Sequence, residues 1–219
     1  MVAVQTHYTV RYMQRDDIPQ VSAIDREAFP TQWPPPPFKR DLDSRLVRYV
    51  VALDETSAAP LQATPAEDAA RGGLHKLISM IRPLLGKETL PQHNTAAPDQ
   101  GNVVGYAAIW MMVDEAHLTS IAVRESHRRQ GAGEMLLIAI IDVAMRLKAQ
   151  VVTLETRVSN LPAQKLYEKY GFAKVGMRRH YYTDDGEDAL VMTTDSIMSP
   201  RFKARFDELR QAHFEKMGR

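Results

Sequence analysis

The sequence predicts a mixed fold of the α/β (α+β) class, and three observations carry that expectation. Stretches in which apolar and polar residues alternate, the period of half-buried strands, outnumber stretches with helical spacing. The helical stretches nevertheless fall between the strands, as they do where helices cover a sheet. The composition, 44% hydrophobic and 25% charged over 219 residues, is globular. A chain of this length buries about 70% of its unfolded surface and needs no covalent staples.

The elements follow in order. Tyr8–Gln14 (YTVRYMQ) alternates and reads as a strand. Asp16 and Asp17 are placed to cap the next helix, where Ile18, Val21, Ile24 and Phe29 keep helical spacing. Pro30 ends that helix, and Pro34–Pro37 after Trp33 imposes a stiff, extended loop. A short helix near Phe38–Leu46 and a strand at Val47–Leu53 come next. Composition then shifts: Glu55–Gly101 is rich in Ala, Pro, Gln and Thr and reads as a loop inserted between two neighbouring strands. Within it, Leu74–Leu85 puts Leu74, Leu77, Ile78 and Ile81 on one helical face, for a membrane surface, a partner or the domain itself.

From Val103 the pattern is regular. Val103–Val113 and His117–Val123 read as strands separated by Asp114–Glu115, Gly133–Lys148 as a helix with a wide apolar stripe, and Val151–Val158 as a strand. Asn160 caps a helix that has Pro162 in its first turn and stops at Gly171. Phe172–Tyr182 and Asp188–Thr193 are strands joined at Asp185–Gly186, a hairpin signal. Ser199–Pro200 opens a last helix to Gly218, with Phe202, Phe206 and Leu209 on one side.

Composition also excludes. Lys+Arg 28 against Asp+Glu 27 gives a formal charge of +1, without the global basic field of a nucleic-acid binder. The absence of cysteine removes disulfides, Cys-ligated zinc and an acyl-cysteine intermediate. The seven histidines show no His-x-x-x-His spacing, so no metal is expected, and His117 and His127 read as incidental. The longest strictly apolar run, Met135–Ile141, is far too short to span a membrane, and the start has no apolar signal core. The expectation is a cytoplasmic chain without a transmembrane segment, its oligomeric state open.

One corner carries a chemical signal. Arg128, Arg129, Gln130, Gly131, Ala132 and Gly133 lie between the strand ending at Val123 and the long helix. Glycines allow the backbone to aim its N–H groups at one point, and the helix start adds unpaired donors and a positive dipole end. Such a corner cradles a phosphate, although glycine spacing alone fits an ordinary strand-to-helix turn equally well. No Gly-Lys-Ser/Thr follows, and Leu136 stands where a dinucleotide fingerprint needs its third glycine.

The strings IAVRESHRRQGAG (Ile121–Gly133) and LETRVSNLPAQKLYEKYGF (Leu154–Phe172) resemble the GNAT family of acetyl-CoA-dependent N-acetyltransferases. DEAHLTSIAV (Asp114–Val123) and RRHYY (Arg178–Tyr182) resemble its RimI-type branch, which acetylates the N-terminal alanine of a ribosomal protein. The resemblance covers roughly residues 8–54 and 102–198. It implies a mixed, mostly antiparallel sheet of about seven strands flanked by helices and splayed between the fourth and fifth strands. It further implies an acetyltransferase domain over 1–198 with the insertion at 55–101, a helical extension over 199–219, and acetyl-CoA as cosubstrate.

The resemblance also assigns roles. Residues 128–133 would hold the coenzyme diphosphate, with Glu134 beside it in the first helical turn, its charge either opposing the anion or turned away. Ile121, Ala122 and Val123 would offer backbone groups to the pantetheine arm, and Asn160 a further coenzyme contact. Glu155 matches the proton acceptor; on its residues alone it is as well a strand carboxylate paired with Arg157. Tyr167 matches the proton donor, while its spacing with Ala163, Leu166 and Tyr170 also suits a core tyrosine. Tyr181 and Tyr182 match one wall of a peptide groove, or else two aromatics that stabilise a hairpin. Phe29, Pro30 and Trp33 fall in the loop expected to form the other wall. The implied acceptor is a protein N-terminus, with a ribosomal protein as one candidate; a lysine or small amine, or acyl-CoA binding without catalysis, are the alternatives.

Overall fold

The computed structural model describes residues 8–31, 34–57 and 101–218. The helix expected at Leu74–Leu85, and Trp33, lie outside the described residues. Twelve principal elements follow one another: β1 (Tyr8–Tyr12), α1 (Ile18–Ala28), α2 (Phe38–Asp41), β2 (Val47–Asp54), β3 (Asn102–Met112), β4 (Glu115–Val123), α3 (Ala132–Arg146), β5 (Val151–Arg157), α4 (Leu161–Lys169), β6 (Phe172–Arg178), β7 (Ala189–Thr194) and α5 (Pro200–Met217). The strands form one sheet in the order β1-β2-β3-β4-β5-β7-β6. Every neighbouring pair is antiparallel except β4 and β5, which run parallel.

The parallel pair is short. Only Glu115–Leu118 face Val151–Leu154, so Thr119–Val123 of β4 pair with β3 alone and the sheet opens beyond Leu118. This is the splay between the fourth and fifth strands. Its upper edge leaves backbone groups of Ile121, Ala122 and Val123 on the open side.

Alternation along the strands feeds two cores. Tyr49, Val51 and Leu53 of β2 join Tyr106 and Ala108 of β3 beneath Val21 and Ile24 of α1 and Phe38 of α2. Val50 and Ala52, with Val104, Ala107 and Ile109, pack on the opposite face against α3. α3 is buried nearly all round, from Ala132 through Leu136, Leu137, Ile140 and Ile141 to Ala144. A helix apolar on every side needs cover on two sides. The sheet supplies one and α5 the other, through Phe206, Leu209 and the fully buried His213. The apolar stripe expected for this helix is therefore a whole surface.

Three expected details differ. Asp17 does not cap α1; its carboxylate accepts from Arg11 at 2.6 and 2.9 Å and from the Gln14 N–H at 2.7 Å, closing a short 3-10 turn over Arg15–Asp17. The helix expected over Phe38–Leu46 is a single turn, α2. β6 ends at Arg178 rather than Tyr182, because His180 takes a φ of +50°, which no strand accommodates. Tyr181 and Tyr182 consequently sit in the loop between β6 and β7. The two caps expected at Asn160 and Ser199 are in place, Asn160 Oδ1 accepting from Ala163 N–H at 3.3 Å and Ser199 Oγ from Phe202 N–H at 3.2 Å.

Candidate active site

Two features lie on the strands that border the splay: a turn after β4 that leads into α3, and a buried carboxylate on β5. The turn begins where β4 ends. Arg128 Nε donates to the Val123 carbonyl at 3.1 Å, and Gln130 Nε2 to the Ser126 carbonyl at 2.8 Å, while Gln130 Oε1 accepts from the Tyr8 hydroxyl at 3.0 Å. Arg129 and Gly131 both adopt positive φ, +63° and +94°. The first bond of α3 runs from Met135 N–H to the Gly131 carbonyl at 3.0 Å, so the N–H groups of Ala132, Gly133 and Glu134 lie ahead of the helical ladder. With the dipole end and the exposed Arg128 and Arg129 beside them, these donors suit a diphosphate.

Gly131 is required for a reason the sequence did not reveal. A Cβ there would lie 2.5 Å from Met217 Sδ and 3.3 Å from His213 Cε1, both on α5. The missing side chain makes room for the C-terminal helix, not for a ligand. At Gly133 a Cβ would meet only Val123 Cγ2, at 3.7 Å.

Glu134 turns away from the turn. Its Oε1 accepts from Tyr170 hydroxyl at 2.7 Å and from Lys169 Nζ, and its Oε2 lies 3.5 Å from His213 Nδ1. Burial alone would push this carboxyl up, but the bonds from His213, Lys169 and Tyr170 outweigh it and hold it down at about 2. A carboxyl lowered from its ordinary value of 4.5 stabilises the fold above pH 4.5 and loses that contribution as pH falls toward 2. Glu134→Gln is therefore expected to flatten the decline in melting temperature between pH 4.5 and 2; curves of equal slope for both proteins would contradict this.

Glu155 stands on β5 with its side chain only 5% exposed. Its Oε2 lies 2.9 Å from His117 Nε2 and its Oε1 2.9 Å from Arg178. The pairing with Arg157 considered from sequence does not form. His117 reaches Glu155 because parallel pairing sets it beside Thr153. Thr153 Oγ1 donates its one proton to Glu115 Oε1 at 2.7 Å, so the 3.0 Å contact with His117 Nδ1 requires Nδ1–H as donor. His117, set aside as incidental in the sequence, belongs to the site, and the signal that finds it is the β4–β5 register.

Tyr167 on α4 is buried, its ring 5.7 Å from that of Phe172. Burial, with nearby Tyr182 adding to it, raises its hydroxyl above the usual 10 and keeps it protonated. Tyr182 is pushed up to about 12, first by burial.

The groove walls are tied together. Phe29 caps α1 and packs on the second core, Pro30 follows, and Thr31 Oγ1 donates to Asp184 Oδ2 at 2.9 Å, joining the α1–α2 loop to the β6–β7 loop. Arg157 organises the second loop: it donates to Asp184, Asp185 and Glu187 at 2.7–3.0 Å and stacks 3.9 Å over the Tyr182 ring. Tyr181, 41% exposed, meets Tyr182 edge-on at 5.3 Å. Both tyrosines thus flank Glu155, whose charge helps to raise them. Among the described residues no group of three acidic or histidine side chains is arranged for a metal, and no described helix is long and apolar enough to cross a membrane.

The splayed mixed sheet, with the Arg128–Gly133 turn after β4 and Glu155 and Tyr167 as candidate acid–base residues, is the frame of an acyltransferase. The chain belongs to the acetyltransferase (GNAT) family, whose sequence profile matches residues 75–172. It is 39% identical over 101 residues to the [ribosomal protein bS18]-alanine N-acetyltransferase of Escherichia coli K12, covering 45% of this chain and 68% of that one. It is 30% identical over 186 residues to an N-alpha-acetyltransferase of Saccharolobus solfataricus, 84% of this chain and 91% of the relative. Relatives from Bacillus subtilis and Sulfurisphaera tokodaii are matched over 66% and 48% of their own length. The crystal structure of the Escherichia coli ribosomal-protein-S18-alanine N-acetyltransferase superposes with a TM-score of 0.60 at 25% identity, over 88% of this chain and 96% of that one.

Proposed function

We propose that this chain is an acetyl-CoA-dependent N-acetyltransferase of the cytoplasm. In this reading it moves an acetyl group to the α-amine of a protein N-terminus, of the ribosomal-protein alanine type. The observation that carries this is Glu155, a buried carboxylate flanked by Tyr181 and Tyr182 on a loop that Thr31–Asp184 ties to the α1–α2 loop, and in this reading the two loops wall the acceptor groove. Such a groove admits a chain end and resists a side chain arriving from mid-peptide. The names of the Escherichia coli and Saccharolobus relatives support the acceptor.

Acetyl-CoA supplies the activated acyl group. The turn from Arg128 to Gly133 binds its diphosphate, the free edge at Ile121–Val123 its pantetheine arm, and Asn160 borders the same end. The arriving amine takes the place of the half-exposed Arg178 at Glu155 Oε1 and gives up its proton there; His117, 2.9 Å from Oε2, fixes the carboxylate. An α-amine has an ordinary pKa near 8, so a modest base suffices. The Tyr167 hydroxyl gives a proton to the leaving sulfur. Transfer is direct, with both substrates bound.

The test is a coenzyme-release assay. Acetyl-CoA is expected to raise the melting temperature, and an alanine-starting peptide to release free coenzyme at least about tenfold faster than the same peptide blocked at its N-terminus and carrying a lysine. Equal rates on the two peptides overturn the α-amine acceptor in favour of a lysine or small amine.

A further inference from the structure

The C-terminal helix does more than cover the core. Its last turn brings Met217 against Gly131, the residue whose φ of +94° shapes the proposed anion-binding turn; a Cβ there would fall 2.5 Å from Met217 Sδ and would have to displace that side chain. One helical turn earlier, His213 lies between the same glycine and Glu134. His213 is 3% exposed, and its Nε2 is the one buried side-chain nitrogen or oxygen among the described residues without a hydrogen-bond partner. A buried polar atom left unpaired disfavours its own seat, so something holds the imidazole beside the turn. Phe214, 5.9 Å away ring to ring, and the Glu134 contact do so. Glu134 in turn would stand as an uncompensated negative charge in the first turn of α3 without Lys169, Tyr170 and His213. An anion approaching the N–H groups of Ala132 and Gly133 would feel that charge.

We infer that α5 is a coenzyme-affinity element: Met217 and His213 are positioning residues that hold the Gly131 turn in its anion-binding shape, His213 also keeping the Glu134 carboxylate engaged on the α5 side. This rests on the reading of that turn as the diphosphate site. Packing at the Gly131 face restricts the turn before any ligand arrives, and a restricted turn loses less freedom on binding. Docking of α5 and binding of the coenzyme therefore favour one another.

The test compares Met217→Ala with Met217→Leu in the full chain, with circular dichroism and melting to establish that both fold. Met217→Ala is expected to speed backbone hydrogen exchange at Gly131, Ala132 and Gly133 without ligand. It should also weaken coenzyme A binding, read by titration calorimetry, about tenfold, the factor that ~1.4 kcal/mol gives. The KM for acetyl-CoA rises with it while the KM for peptide and kcat at saturating acetyl-CoA stay within about twofold; Met217→Leu, which refills the space, restores all readouts. A folded Met217→Ala protein with wild-type exchange and wild-type coenzyme affinity overturns the inference. A wild-type chain that binds no coenzyme A overturns the diphosphate reading instead, and the exchange measurement still reports whether α5 stiffens the turn.

Discussion

Glu155→Gln is expected to slow acetyl transfer to an alanine-starting peptide by about 10²–10⁴-fold, with the largest loss at low pH. Glutamine keeps the shape of the carboxylate and can still meet Arg178, but it cannot take a proton. Below the amine's ordinary pKa, near 8, most acceptor arrives charged and depends on that transfer; above it, the free amine attacks unaided and the variant recovers. The measurement is a pH profile of coenzyme release for both proteins. Parallel profiles at wild-type rate would remove Glu155 from the chemistry. The side chain is only 5% exposed and is held at 2.9 Å on both oxygens, so the substitution changes charge in a site that is otherwise fixed.

Tyr167→Phe should lower kcat by about 10²-fold or more while coenzyme A binding survives. The ring packs on Phe172, and phenylalanine preserves that contact, so stability is expected to hold. What is lost is one hydroxyl that burial keeps protonated at every pH where the amine is nucleophilic. Calorimetry with coenzyme A and a turnover assay separate the two effects. Equal losses in binding and turnover would make Tyr167 a packing residue and nothing more.

Much of this architecture was readable in advance because the signals are local. The Asn160 and Ser199 caps, Gly171 with its φ of +88°, and the strand periods of β3, β4 and β5 each depend on a few neighbouring residues. What escaped depends on partners far along the chain. His117 becomes part of the site only through the parallel register that sets it beside Thr153, 36 residues on. Asp17 had a cap to offer, yet Arg11 on the adjacent strand presents two donors and wins it. The final residues of the expected β6 strand fold instead around Arg157, whose three carboxylate partners pull Tyr182 into a loop. Glu134 read either as a charge opposing the coenzyme or as one turned away; Lys169, Tyr170 and His213, 35 to 79 residues on, engage it.

The brevity of the β4–β5 ladder has a mechanical consequence. Four residue pairs are all that stitch one half of the sheet to the other. Strands one to four lie on one side of this seam and five to seven on the other, and it is the shortest ladder among the described strand pairs. α5 crosses it, gripping α3 through Phe206 and Arg210–Asp142 and α4 through Arg205 and the Tyr170–Phe206 rings. It thus ties the helix packed on the first group of strands to the helix that precedes β6, an external brace across a seam the strands themselves hold by four pairs.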